Sequence, residues 1–102
     1  MLSDKFYRML GLATRAGSVV FGEGAAKDSI RSKKALLVLV AKDASDNTKK
    51  KFYNSTEFYS VPYFEAGDKL TLGKATGREF LAVLSIKDKS FAESLIKILT
   101  EN

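Results

Sequence analysis

From Ser3 onward the apolar residues Phe6, Met9, Leu10 and Ala13 recur at i, i+3, i+4 and i+7. This is the spacing of an amphipathic helix, with Ser3 as its N-cap and Gly17 as its stop. Val19-Val20-Phe21 is long enough only for a short strand, and Gly22 to Lys33 then reads as a helix with Ala26 and Ile30 on one face. Ala35 to Ala41 is an unbroken apolar run rich in β-formers, as expected of a central strand covered on both faces. Asp43 or Ser45 can cap a third helix running to about Phe58, with Phe52 and Tyr53 inward and the lysines outward. Val61 to Phe64 is extended, because the residue before Pro62 is pushed out of the α region. Asp68 to Ala75 predicts one or two helical turns ended by Gly77, Phe80 to Ile86 a second buried strand, and Phe91, Leu95, Ile98 and Leu99 the stripe of a last helix. Strands alternating with helices imply a three-layer α/β/α sandwich around a mixed, largely parallel sheet of about four strands. No linker or repeat divides the 102 residues, so residues 1–102 are expected to form a single domain.

Composition narrows the chemistry. There is no His and no Cys, which removes zinc clusters, disulfides, histidine bases and cysteine nucleophiles. With no apolar run of membrane-span length and no signal-peptide pattern, the expectation is a cytoplasmic protein without a membrane partner, metal or cofactor. Residues 1–51 hold eleven basic and five acidic residues, hence +6, whereas the remainder carries −1. Charge placed on one half in this way points to a polyanionic partner.

Nucleotide motifs fail. Gly22-Glu23-Gly24-Ala25-Ala26-Lys27 opens like a dinucleotide fingerprint but has Lys27 where the third glycine belongs. A Walker A reading ending at Gly73-Lys74 meets Asp68 at its first glycine and Ala75 in place of Ser or Thr. Asp43, Asp46 and Glu79 are not spaced as an acid/base pair, so no enzymatic activity is expected. What remains is a glycine-containing turn entering a basic helix, with Lys27, Arg31 and Lys34 at i, i+4 and i+7. Free amides at such a helix start donate to phosphate, and the helix dipole favours the anion. The loop at Lys42 after the central strand, and the loop from Gly73 through Lys74, Arg78 and Glu79 to Phe80, should open at the same sheet edge. Cations that grip phosphate beside an apolar residue that covers an unstacked base suit structured RNA.

The sequence resembles the kink-turn RNA-binding ribosomal protein family, the L7Ae and L30e group, and especially its short bacterial YlxQ-like members. The likeness runs from about Gly11 to Leu99. It is carried by Gly11-Leu12-Ala13-Thr14-Arg15-Ala16-Gly17, by Gly22, by Leu37 to Ala44, by Val61-Pro62-Tyr63 and by Leu72 to Gly77. The resemblance implies the same sandwich and an RNA site built from the start of the second helix and the loops after the second strand and before the fourth. Family members typically carry Gly-x-Asn-Glu-x-x-Lys at that helix start. Here Gly22 matches, Glu23 is a free position, Gly24 replaces Asn, Ala25 replaces Glu, and Asp28 replaces Lys with Lys27 beside it. Lys69 fits the lysine of the family's Ser-Lys-x-x-Leu-Gly segment, while Arg78-Glu79-Phe80 fills the loop that covers an extruded base, Arg78 being the departure. The reading is therefore a non-catalytic protein of this family that binds ribosomal or kink-turn RNA, with ribosomal or other proteins as further partners. The alternative is a protein-interaction module on the same fold that has lost RNA recognition.

Overall fold

The computed structural model describes residues 2–101. The chain alternates α1 (Asp4–Arg15), β1 (Val19–Phe21), α2 (Glu23–Arg31), β2 (Leu37–Val40), α3 (Asp46–Tyr59), β3 (Tyr63–Glu65), α4 (Lys69–Thr76), β4 (Val83–Ile86) and α5 (Lys89–Thr100). Helices α1, α4 and α5 pack together, and α2 packs with α3. All four residues of β2 and of β4 are buried, as strands with both faces covered must be. Phe6 and Leu10 of α1, Ile30 of α2, Phe52 of α3, Leu72 of α4 and Leu95 of α5 are fully buried against them.

The strand order is β1-β4-β2-β3. The sheet is mixed, as expected, but parallel pairing does not predominate. Only β2–β3 is parallel, with Val38 opposite Tyr63, whereas β4 runs antiparallel to both β1 and β2. The cause lies in the return from α4. Gly77 caps that helix at φ 77°, the Arg78 amide donates to the Gly73 carbonyl, and the Leu81 amide donates to the carbonyl of Lys69, the first residue of α4. The chain thus doubles back along α4 and enters β4 from the edge at which it left β3.

Helix starts follow the sequence closely. Ser3 caps α1, and Ser45, rather than Asp43, caps α3. Tyr53, expected inward, is exposed while its neighbour Phe52 is buried, because consecutive helical residues lie about 100° apart and cannot share a narrow buried face. The strand expected from Phe80 starts only at Val83, leaving Phe80 in the preceding loop.

Candidate nucleic-acid interface

Since β1, β2 and β3 share one direction and β4 opposes them, the C-terminal ends of three strands and the N-terminal end of the fourth meet at one sheet edge. Backbone bonds stitch that edge together. The Gly22 amide donates to the Val83 carbonyl, Ala41 to Ala82, and Lys42 to Gly67. Gly22, Lys42, Lys69 and the loop from Arg78 to Phe80 therefore lie together, as the spacing of their loops implied.

The start of α2 is unlike the other helix starts. α1, α3, α4 and α5 each have a side-chain cap, from Ser3, Ser45, Asp68 and Asp88, whereas Gly22 offers none. Gly22 sits at φ 90° and ψ 165°, a conformation that L-residues avoid although no atom would touch a side chain there. Among the described residues, the amides of Glu23, Gly24 and Ala25 find no protein acceptor, the ordinary condition of a first helical turn open to solvent. Gly24 and Ala25 are both exposed. Glu23 is turned toward α3, where its carboxylate accepts from the Thr48 hydroxyl and pairs with Lys51 Nζ, each at 3.4 Å.

The loop before β4 depends on Gly73. A side chain there would come within 2.8 Å of the Arg78 carbonyl oxygen and 3.0 Å of the Glu79 backbone. The missing Cβ lets the loop lie directly on α4. Arg78 stacks its guanidinium 3.8 Å from the centroid of the Phe21 ring, a cation–π contact that holds the charge at the rim. Phe80 is 64% exposed, so it serves no core. Glu79 is also exposed, and Leu70, 61% exposed on the Gly73 side of α4, adds a second apolar residue near Phe80 that periodicity did not single out.

The remaining predicted residues separate. Lys27 is exposed in the second turn of α2. Asp28 binds Arg31 at 2.7 Å across one helical turn, so each occupies the other's charge. Lys34 does not continue the helical stripe. α2 stops at Arg31, Lys33 takes φ 63°, and the Lys34 amide turns back to the Ser29 carbonyl. Arg31 and Lys34 lie at the opposite end of α2 from Gly22, about 13 Å away at 1.5 Å per residue. Lys74 is exposed on α4, facing α1 rather than the sheet edge. Two positioning residues were missed. Asp43 Oδ1 accepts from the Lys69 amide at 2.9 Å and so ties the β2–α3 loop to the start of α4. Ser29, buried in α2, shares a 2.8 Å hydrogen bond with the buried Ser85 of β4 and docks the helix on the sheet. An aspartate shortly after an apolar run gave a cap signal for Asp43, but its true partner lies 26 residues on.

The fold and the edge define a class: a small α/β/α domain that presents an uncapped, glycine-started helix and a glycine-supported loop with an exposed aromatic residue. A model of the ribosomal protein L7Ae/L30e/S12e/Gadd45 family matches residues 4–96, and the chain belongs to that family. It is 40% identical over 99 residues to the RNA-binding protein YlxQ of Bacillus subtilis, covering 97% of this chain and 99% of that one. It is 37% identical to the protein of the same name from Enterococcus faecium, covering 94% and 92% of the two chains. Among solved structures, a protein of unknown function from Bacillus halodurans superposes with a TM-score of 0.94 at 30% identity, covering 97% of this chain and all of that one. The Giardia lamblia 15.5 kDa RNA-binding protein shares the fold at a TM-score of 0.79 and 23% identity, over 93% of this chain and 82% of that one.

Proposed function

We propose that this protein binds structured RNA of the ribosomal or kink-turn type in the cytoplasm, without catalysing a reaction. The reading rests on one convergence. The open amides of α2, the cations Lys42, Lys69 and Arg78, and the exposed ring of Phe80 stand on one sheet edge, with Lys27 exposed one turn along α2. Amides and cations grip phosphates, Arg78 is held in place by Phe21, and Phe80 covers an unstacked base. The names borne by the Bacillus and Enterococcus relatives support the same reading.

The test is a titration of the protein against a kink-turn RNA and a plain duplex, with Phe80→Ala in parallel. The wild type should prefer the kinked RNA. Phe80→Ala should weaken binding by roughly 1–3 kcal/mol, as loss of a stacked base does, with an unchanged melting temperature because the ring is 64% exposed. Failure to bind either RNA, with retained capture of a protein partner, would replace this reading by the protein-interaction module.

A further inference from the structure

A second basic concavity leads away from the sheet edge along α1. At the edge, a hollow of about 390 Å³ is bounded by Tyr7, Lys42, Asp43 and Asp68. A smaller one of about 220 Å³ lies between Tyr7, Thr71 and Lys74, where the Tyr7 hydroxyl meets the Thr71 hydroxyl at 3.2 Å. Beyond it a groove of about 720 Å³ runs between α1 and α4 past Arg8, Leu12 and Arg15. Tyr7 borders all three, so they lie side by side along the α1–α4 pair, a row that we call the trough.

Four cations face three carboxylates along the trough, and the excess lies in the part between α1 and α4. Lys42, Lys74, Arg8 and Arg15 line it, and none has a carboxylate within 4.0 Å among the described residues. Asp43 and Asp68, which accept from the amides of Lys69 and Thr71 and keep their charge, lie beside Lys42 at the edge hollow, whereas past Tyr7 the groove holds Arg8, Arg15 and Lys74 against Asp4. Arg8 and Arg15 are seven residues apart, two turns or about 10.5 Å along one helix face. Leu12, 49% exposed, sits between them. A solvated helix face would be expected to pair Arg8 with Asp4 four residues before it, and that pair is not made.

We infer that this trough holds the phosphodiester backbone of RNA that flanks the segment seated at the sheet edge, with Arg8, Arg15 and Lys74 contacting successive phosphates. The inference rests on the RNA reading above and extends its footprint from the edge to a second side of the molecule. The occupant is a polyanion, because Arg8, Arg15 and Lys74 outnumber Asp4 along the groove, and it is continuous with the edge because Lys42 belongs to both surfaces.

The experiment compares a minimal kink-turn RNA with one whose two stems are each lengthened by a helical turn, and measures affinity as a function of salt. The double variant Arg8→Gln, Arg15→Gln replaces two exposed side chains, and its melting temperature is checked first. It should reduce the slope of log affinity against log salt by about 1.4 to 1.8 on the long RNA, since each lost phosphate contact removes roughly 0.7–0.9. On the minimal RNA the slope should be unchanged, and Arg8→Lys with Arg15→Lys should restore the slope on the long one. Phe80→Ala, by contrast, should weaken both RNAs alike. An unchanged slope on the long RNA, or an equal loss on both RNAs, overturns the trough while leaving the edge site intact. A wild-type protein that binds neither RNA overturns both.

Discussion

The resemblance aligns Gly24 and Ala25 with the family's Asn and Glu, and the structure leaves both positions open to solvent. Each is exposed, and nothing lies within 4 Å of a side chain built at Gly24. With these residues α2 offers backbone donors to phosphate and no side chain to read a base edge, and phosphate contacts position an RNA without specifying it. Gly24→Asn with Ala25→Glu should therefore sharpen the preference for a kink-turn over a duplex by about 1–3 kcal/mol, if bidentate contacts on sheared pairs are worth what they are in DNA. Melting temperature should not fall, because removing a helical glycine stabilises the helix. Paired titrations check this, and an unchanged affinity ratio would separate these positions from base reading. Much of this scale was legible in sequence. The place of Gly22 between strand and helix is legible in the sequence, whereas its φ of 90° is seen only in the structure. Lys34 misled because periodicity continues on paper after the helix has ended at Arg31.

Among the elements, α4 does the most to shape the edge. Asp68 and Thr71 cap it reciprocally, the Asp68 carboxylate accepting from the Thr71 amide at 2.8 Å and the Thr71 hydroxyl accepting from the Asp68 amide. The hydrogen bond from the Thr71 backbone holds the Asp68 carboxyl below its usual range, with a further contribution from the Thr71 side chain. A group whose folded pKa is depressed contributes stability above its unfolded value, near 3.9, and loses it as pH falls through the folded value. Asp68→Asn keeps an acceptor but not the charge. Its melting temperature should lie below that of the wild type at about pH 6, and the gap should narrow at about pH 3, below the unfolded carboxyl value, where the unfolded state takes up the proton first. A constant gap in thermal melts at the two pH values would mean that the cap does not act through its charge. The existence of α4 and its limits, Asp68 and Gly77, could be read from cap chemistry. The return of the loop along its side could not, because Gly73 meets Arg78 and Glu79 only once the chain has doubled back.

For the whole molecule, the arrangement places the edge residues and the far end of α2 on different parts of the surface. Backbone amide shifts on titration with the minimal kink-turn RNA should concentrate at residues 22–27, 42–43, 67–70 and 78–81. Arg31, Lys34 and the turn from Lys87 to Lys89 should stay unperturbed, since Leu36 and Ile86 pair at the other end of the sheet. Strong shifts at Arg31 and Lys34 would place the RNA along α2 instead of across the edge.

Local pattern by itself determined the order of helices and strands, the buried central strand, the cap at Ser3, and the basic, cysteine-free and histidine-free chemistry. These depend on side-chain period, turn residues and composition, all of which act over a few neighbours. Only the tertiary structure decided the direction of β4, the bond from Lys69 to Asp43, the exposure of Phe80, and the groove past Arg8 and Arg15 between α1 and α4. Those features set residues far apart in the chain against one another. Their positions follow from how the layers pack and where a connection re-enters the sheet, which no local spacing encodes.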